Sequence, residues 1–523
     1  MTRPRTLVAL VVLLGAFGVS AWQVFTRHHA ETGSGKVTLR VGHWLLHAGM
    51  REAFDEAASA YMARHPDVIV EQIPVPIRAW PSWMRTQLVG GTAPDITGLL
   101  NANEELITRY FLPLGDAVAA PNPYNAGTSL AGVPWADTFV DGMAAMRNLT
   151  PTSGDIHSVN LQVNTTRFFY NKRLLREVTG SELPPADYAS LRALEGQVAR
   201  YNHARGKRLT PVASCGPYSQ YLFERLLPSQ TQKLAVELSP ARNFQVAAPE
   251  LARLMLDGRL SFRSTPEFHA SLRLLRDVST LMTVGYESRQ RDDALFDFLQ
   301  EKAVMIFAGS WDYGVFVRDG DFPFGIASIP MPAADDPEYG RFVIGLASES
   351  NGSPEATLGI VRTSQHPALA LDFLHFLTSR DIAQRFSNRS LRMSAVAEVS
   401  PPSEAPALAP RLDGEISGFM PDFNAYGGNN ANQVFKRNLH LLTGPAGSVE
   451  SFAAMLDAEL PAALRQDAGI QNTRLRRSIQ QLDARLGLLL TQPESDRRHS
   501  PARVLETLHA RQSDYLFYLP LAR

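Results

Sequence analysis

Cysteine is nearly absent from this sequence of 523 residues, which contains only Cys215. A single cysteine forms no internal disulfide, and it excludes CxxC and multi-cysteine metal sites. An excess of one charge is lacking as well, because 51 lysines and arginines stand against 52 aspartates and glutamates. No overall field attracts nucleic acid or an anionic membrane, although a local basic patch stays compatible with these totals. We therefore expect no nucleic-acid partner.

Several catalytic and cofactor motifs are also missing. The string "GSGKV" at residues 33–37 places Val37 where a phosphate loop needs serine or threonine. The string "HWLLH", with His43 and His47, lacks the glutamate of a zinc protease motif, and there is no GxSxG. Carboxylate pairs for glycoside hydrolysis have no fixed spacing, so an extracellular carbohydrate-active enzyme remains an alternative. We expect no enzymatic activity, no metal and no cofactor.

One long apolar run is present, at residues 7–25, behind Arg3 and Arg5. A basic start followed by an apolar stretch is typical of an export signal, and "VSA" at residues 19–21 fits a cleavage site. The run also approaches the ~20 residues that span a bilayer, so a retained membrane anchor is equally compatible. We expect residues 1–26 to be a signal peptide or anchor, and residues 27–36 to be a linker.

Strand and helix patterns alternate in the first hundred residues. Apolar residues alternate with polar ones at 37–41, as in a half-buried strand, and recur at spacings of four, three and four over 50–61, as in an amphipathic helix. A second strand at 68–73, a helix at 80–89 and a third strand near 95–100 follow. This β-α-β-α-β order predicts a parallel, doubly wound sheet.

The same alternation continues later in the chain. A helix is predicted at 187–205, strands at 321–330 and 341–348, and a helix at 366–379. The last fifty residues predict a charged helical tail, in which the apolar block 486–490 is too short to span a membrane. At 523 residues the chain is also long enough for more than one compact lobe.

A buried strand is predicted at 303–307, where five apolar residues follow one another in "AVMIF". Small residues at 308–310 end the strand, and Trp311 comes next. Ligands of open parallel sheets bind beyond the carboxyl ends of strands, and an aromatic ring offers a surface on which something flat can lie. Trp311 is therefore a candidate ligand platform, with burial in the core as the alternative.

Five segments in this order resemble the extracellular solute-binding proteins of ABC importers, in the sugar-binding family of maltose-binding protein type. They are "VTLRVGHW", "ARHPDVIVEQIPV", "LVGGTAPDI", "RFFYNKRLLREV" and "FLQEKAVMIFAGSWDY". The resemblance implies an α/β fold of the periplasmic binding protein type, class II, with two discontinuous doubly wound lobes joined by crossing hinge strands. The strands 159–169 and 323–330 would cross between the lobes.

The resemblance also sets the expected boundaries. Lobe 1 would comprise residues 37–160 and 323–372, and lobe 2 residues 165–320 and 375–470. Residues 471–523 would form a helical C-terminal extension with no counterpart in the family.

The family supplies further candidate ligand-binding residues. Aromatic platforms and hydrogen-bonding side chains are implied at Trp311, Tyr218, Trp44, Asn101, Asn103, Glu104, Asn164, Tyr426 and Asn430. For Trp44 a core role is an open alternative, and for Tyr426 and Asn430 a Gly/Asn-rich turn is the alternative. The uncharged Asn164 stands where relatives can carry a carboxylate, which favours a neutral ligand.

The implied function is capture of a carbohydrate by hinge closure, outside the cytoplasm, and delivery to the permease of an ABC importer. The protein would be a monomer, with membrane contact through its N-terminal segment. A membrane-anchored sugar sensor that presents its closed form to a receptor or kinase is the first alternative. The carbohydrate-active enzyme is the second.

Overall fold

The computed structural model describes residues 36–46, 49–150, 154–239, 246–349, 353–402, 405–415, 417–420, 429–444, 446–493 and 501–522. The predicted signal or anchor, the linker up to residue 35, and Tyr426 lie outside these residues. Within them, no helix is long and apolar enough to cross a membrane.

The described residues form nine strands and eighteen α-helices. The strands are β1 (Val37–His43), β2 (Val68–Pro74), β3 (Ile96–Gly98), β4 (Ser158–Asn164), β5 (Thr166–Asn171), β6 (Thr210–Ala213), β7 (Ala303–Gly309), β8 (Phe324–Ala327) and β9 (Ser353–Ile360). The helices are α1 (Met50–Arg64), α2 (Trp80–Gly90), α3 (Glu104–Tyr110), α4 (Ala144–Arg147), α5 (Lys172–Thr179), α6 (Tyr188–Arg205), α7 (Gly216–Leu226), α8 (Gln232–Leu238), α9 (Ala248–Leu256), α10 (Pro266–Ser279), α11 (Arg291–Leu299), α12 (Tyr313–Asp319), α13 (Pro367–Leu377), α14 (Arg380–Ser390), α15 (Asn429–Asn438), α16 (His440–Thr443), α17 (Val449–Thr491) and α18 (Pro501–Leu521).

The chain divides into two compact units. Of the described residues, unit 1 contains those up to 150, with 155–163 and 354–402, and unit 2 contains residue 154, those of 164–353 and those from 405 onward. The change of unit after Val163 falls inside the predicted crossing segment. The chain returns to unit 1 only at residue 354, because β8 pairs with β5 in the sheet of unit 2 and does not cross. It then stays in unit 1 to residue 402, well beyond the expected 372, since α14 packs on α1.

Unit 1 is built on a mixed sheet with the order β2-β1-β3-β9-β4. Strand β1 is parallel to β2 and β3, as the sequence predicts, whereas β9 is antiparallel to β3. Helix α1 buries Met50, Phe54, Ala57 and Tyr61, which confirms the apolar face read from their spacing. The predicted parallel arrangement of β1, β2 and β3 is therefore confirmed, and the sheet becomes mixed where β9 enters it from a distant part of the chain.

Unit 2 contains the second sheet, in the order β6-β7-β5-β8. Every residue of β7 is buried, as predicted for the "AVMIF" run. Strand β6 is parallel to β7, while β5 is antiparallel to both β7 and β8. The strand predicted at 341–348 is not formed, since the chain makes a single 3₁₀ turn at Gly340–Phe342.

The C-terminal region is helical, as predicted. Helix α17 has 43 residues and begins at Val449, about twenty residues before the expected start of the extension. Its first half buries Phe452, Leu456, Leu460 and Leu464 in the core of unit 2. The tail is therefore a continuation of a core helix.

A buried ion pair joins three segments of unit 2. Both guanidinium Nη atoms of Arg167 donate to the carboxylate of Glu349, each at 2.8 Å, and the remaining N–H groups donate to the carbonyls of Thr166, Ala407 and Ala409. Only 3% of the Arg167 side chain is exposed. Burial alone would raise the pKa of Glu349, but the hydrogen bonds and charge of Arg167 outweigh it, so the pKa lies below its usual value. Because the folded-state pKa is the lower one, this carboxylate stabilises the fold above its unfolded-state pKa, and the contribution is lost as pH falls through the folded-state pKa.

The substitution Arg167→Met should lower the free energy of unfolding of unit 2 by about 3–5 kcal/mol, since it leaves Glu349 buried without its partner. The measurement is the shift of the urea transition at neutral pH. The matched control is Arg176→Met, because the ion pair of Arg176 with Glu182 is exposed and should contribute less than about 1 kcal/mol. Equal, small losses in both variants would contradict a stabilising role for the Arg167 pair.

Candidate functional site

The carboxyl end of β7 leads directly into a tight turn that carries Trp311. Gly309 is the last residue of β7, and Ser310–Asp312 form one 3₁₀ turn before α12 begins. The parallel neighbour β6 ends at the same edge of the sheet, and α7 starts three residues after it. Trp311 and the start of α7 therefore share the edge at which ligands of such sheets bind.

The indole of Trp311 lies across Gly309. A Cβ atom on Gly309 would come within 2.3 Å of three ring atoms, so only glycine lets the ring fold back over the strand. The ring of Tyr221 meets Trp311 edge-on, with centroids 5.5 Å apart and planes at 74°. Trp311 is half-buried and Tyr221 is 39% exposed. Each of the two rings therefore keeps part of its surface accessible to solvent.

A fully buried carboxylate fixes the turn behind Trp311. Asp312 is 0% exposed, and it accepts hydrogen bonds from the Tyr218 hydroxyl at 2.6 Å and from Nε of Arg291 at 2.9 Å. A second guanidinium nitrogen of Arg291 also donates to it. Burial and the neighbouring charge of Asp312 raise the pKa of Tyr218. Burial alone would lower the pKa of Arg291, but the charge of Asp312 outweighs burial, so the pKa of Arg291 is raised. Arg291 thus stays charged and neutralises Asp312.

Asn164 is held beside the same turn. The Ser310 amide donates to the Thr165 carbonyl at 2.8 Å, and the Thr165 amide donates back to Oγ of Ser310 at 3.2 Å. The Ser310 hydroxyl donates to Oδ1 of Asn164 at 3.4 Å. The half-buried Asn164 amide therefore lies next to the residue that precedes Trp311, which brings two of the predicted site residues together.

Tyr218 occupies a different place from the one the resemblance implies. It is 1% exposed, and its hydroxyl is taken up by Asp312, so its ring does not face solvent. The accessible aromatic residue of α7 is Tyr221, which the sequence analysis missed. Helical spacing offered a signal, because Tyr218 lies in one row with the buried Leu222 and Leu226. Of the two tyrosines, only Tyr221 has a ring that solvent can reach.

In unit 1, Trp44 follows β1 and is 4% exposed. Its indole lies on Gly98, where a Cβ would approach a ring atom to 2.2 Å, and its centroid is 5.4 Å from that of Trp80. The side chain packs inside unit 1, as in the core alternative.

The polar candidates of unit 1 lie together in the loop after β3. Asn101 is exposed and adopts a positive φ of 57°. The side chain of Asn103 caps α3 by accepting from the Leu106 amide at 3.0 Å, and Glu104 starts that helix. Among the described residues the side-chain amide of Asn101 caps no helix, whereas the Oδ1 atom of Asn103 already accepts a hydrogen bond.

Asn430 stands at the start of α15 in unit 2. Its side-chain amide donates to Asp467 of α17 at 2.6 Å, and its backbone amide donates to the same oxygen at 3.1 Å. These bonds tie α15 to α17, so the amide already has a structural partner. Among the described residues, no group of three or more histidine, cysteine, aspartate or glutamate side chains could hold a metal ion.

Two α/β units with mixed sheets, discontinuous in sequence, define the chain as a protein of the periplasmic binding protein fold. Residues 56–410 match the model of the bacterial extracellular solute-binding proteins, and the chain belongs to that family. The family consists of binding proteins that act outside the cytoplasm. No curated protein matches the sequence.

Solved structures share the fold at low sequence identity. The GacH receptor of Streptomyces glaucescens, determined without ligand and with acarbose, is 16% identical over 82% of this chain and 98% of its own, with a TM-score of 0.54. Apo RafE from Streptococcus pneumoniae is 16% identical over 82% and 99%, also with a TM-score of 0.54. The cyclic α-maltosyl-1,6-maltose binding protein of Arthrobacter globiformis is 18% identical over 82% and 99%, with a TM-score of 0.53.

The substitution Gly309→Ala should drive the Trp311 ring off the strand and away from Tyr221, because the new Cβ would meet the ring at 2.3 Å. The backbone itself suits alanine, with φ at −91°. The near-UV circular dichroism of the Trp311–Tyr221 pair should change while the far-UV spectrum stays the same. Gly487→Ala is the control, since no atom lies within 4 Å of a Cβ there. An unchanged near-UV spectrum in Gly309→Ala would contradict the described ring position.

Proposed function

We propose that this protein binds a carbohydrate and delivers it to an ABC importer. The observation that carries the proposal is the open pair of aromatic rings, Trp311 and Tyr221, at the carboxyl end of β7. One face of a pyranose is lined with C–H groups, which pack flat against an aromatic ring. Sugar-binding proteins share the fold and so support the proposal, but because their sequence identity is low they show the fold alone.

Polar groups near the aromatic pair suit the hydroxyl rim of a sugar. Asn164 is half-buried beside Ser310, and 31% of the Arg291 side chain is exposed. Amides and guanidinium groups present several hydrogen-bonding atoms in one plane, as vicinal hydroxyls require. In unit 1 the loop with Asn101, Asn103 and Glu104 offers further donors and acceptors, and we keep these residues as proposed ligand contacts.

The charges around Trp311 favour a neutral ligand. Asp312 is paired with Arg291 and accepts from Tyr218, so within the described residues the two charges at the turn neutralise each other. Asn164 adds a neutral amide. A charged ligand would need an opposite charge here, whereas a neutral sugar needs only hydrogen bonds and an aromatic face.

Hinge closure is the mechanism that we propose. The chain passes from one unit to the other after residues 163, 353 and 402, among other places. A sugar that contacts both units would shift the population toward the closed form, because that form alone makes both sets of contacts. The permease of the importer would recognise the closed form. Export would depend on residues 1–26.

A membrane-anchored sensor of the same sugar is the second candidate function. It is favoured by the helices that follow residue 410, where the family match ends. Crosslinking in cells separates the two candidates, because a transport role predicts capture of permease subunits and a sensing role predicts capture of a receptor or kinase.

The substitution Trp311→Ala should weaken sugar affinity by about 1–3 kcal/mol, roughly 5- to 150-fold, since it removes one stacked aromatic ring. Isothermal calorimetry with a panel of mono- and oligosaccharides measures the change. Phe296→Ala is the matched control, because Phe296 is an exposed aromatic residue of unit 2 outside the site. If the folded wild-type protein binds no sugar of the panel, the proposed ligand class is wrong. If it binds one and Trp311→Ala does not weaken it, the platform role is wrong.

Tyr221 and Tyr218 should respond differently. Tyr221→Ala removes the exposed ring and should weaken sugar affinity by about 1 kcal/mol with little change in stability. Tyr218→Phe removes a hydroxyl that donates to a buried carboxylate, so it should lower stability by about 1.5–3 kcal/mol and leave affinity within about threefold. The measurements are calorimetry and urea unfolding of both variants. The reverse pattern would restore Tyr218 as the ligand contact.

A further inference from the structure

Helices α17 and α18 form a C-terminal hairpin that follows the family match. The end of this hairpin is not part of the hydrophobic core of unit 2. Helices α17 and α18 pack along each other, and Nδ2 of the Asn472 side chain donates to the backbone carbonyl of Tyr518 at 3.0 Å. Beyond this point Leu475, Leu489 and Leu508 are buried, yet they are not part of the hydrophobic core of unit 2. The end of the hairpin is therefore held by the seam between its own two helices.

The same region is basic, in contrast to the rest of the chain. Residues 471–523 contain nine arginines and no lysine, against five aspartates and glutamates, whereas the whole chain carries a net charge of −1. Such a local asymmetry indicates attraction to an anionic partner.

One face of α17 collects this positive charge, and we call it the basic stripe. Its six exposed residues follow one another at spacings of four, three, four, four and three, which places them on one side of the helix. They are Ile470, Arg474, Arg477, Gln481, Arg485 and Leu488. The one carboxylate between residues 470 and 491, Asp483, lies on the opposite side of the helix. In the part of the chain that the structure describes, the three arginines form no ion pair.

We propose that the basic stripe docks on an anionic phospholipid surface. Arginine fits this role because its guanidinium group binds phosphate oxygens in pairs while its aliphatic stem rests on apolar surface. The two ends of the stripe carry apolar side chains, Ile470 at 43% and Leu488 at 65% exposure. Over ~27 Å of helix, three basic residues thus lie between two apolar side chains that can partition into the interface, as in helices that lie on membranes.

The charge pattern argues against a second copy of this chain as the occupant. Two basic stripes would repel each other, and no carboxylate on the stripe could pair with an arginine of the other copy. An acidic protein would satisfy the charges, but it would leave the exposed Leu488 without a function. The proposal does not depend on sugar binding, so the two can fail separately.

A fluorescent label on the stripe tests the proposal in the full-length protein. Cys215 is free and buried, so Gln481→Cys can be labelled selectively with an environment-sensitive dye. Vesicles with phosphatidylglycerol should shift the emission of this label to the blue, and vesicles of phosphatidylcholine alone should not. The control is the same label at Asp483→Cys, on the opposite side of α17, which should not respond. Because each label reports its own surroundings, membrane contact by residues 7–25 does not mimic the result.

A charge-matched pair of variants completes the test. Replacing Arg474, Arg477 and Arg485 with glutamine should lower the affinity for anionic vesicles, as measured with the residue 481 label, by about 100-fold. Each basic residue near such a surface contributes about fivefold in affinity. Replacing the exposed Arg200, Arg205 and Arg208 with glutamine removes the same charge elsewhere in unit 2 and should have little effect.

Four results would overturn the proposal. They are no response of the label at residue 481, equal responses at residues 481 and 483, equal losses in the two triple variants, and a concentration-dependent shift without lipid, which would indicate a second copy. Tighter binding of the stripe to polyglutamate than to anionic vesicles would point to an acidic protein and would also contradict it.

Discussion

The candidate site depends on one carboxylate that is taken completely out of water. Arg291 neutralises the charge of Asp312 there, and the Tyr218 hydroxyl donates to another of its hydrogen-bonding positions, which stabilises the buried carboxylate. These bonds join α7, α11 and the turn after β7, so they hold the backbone next to Trp311 in place. The indole packs on the backbone of Gly309, which has no Cβ to block it, and contacts the edge of the Tyr221 ring. A preorganised ring of this kind loses little conformational entropy when a flat ligand packs on it.

Local patterns were sufficient for much of the fold. The buried strand β7, the apolar face of α1 and the helical tail each follow from the spacing of apolar residues within a short window. Pairing partners do not, because they depend on contacts between distant segments. The sequence predicts a parallel sheet from β1 to β3, but the antiparallel β9 arrives from residues 353–360. The late return to unit 1 was missed for the same reason, since nothing near residue 324 shows that β8 pairs with β5.

For the site, the sequence predicts Trp311 at the end of β7 and Asn164 in the crossing segment. In the structure Asn164 lies beside the turn that carries Trp311, because it accepts a hydrogen bond from Ser310. The sequence did not separate Tyr218 from Tyr221, because both are tyrosines on the first turns of α7 and only their partners differ. A buried tyrosine needs an acceptor for its hydroxyl, and that acceptor, Asp312, lies 94 residues further along the chain. Such a pairing has no signature in a single sequence.

The central claim is that a neutral sugar packs against Trp311. The indole N–H resonances of the six tryptophans report this directly in a protein labelled with ¹⁵N-tryptophan, with Trp311→Phe identifying its signal. Titration with a sugar that binds in calorimetry should shift the Trp311 resonance, while the fully buried Trp135 resonance stays in place. Saturating sugar that leaves the Trp311 resonance unmoved would contradict the account.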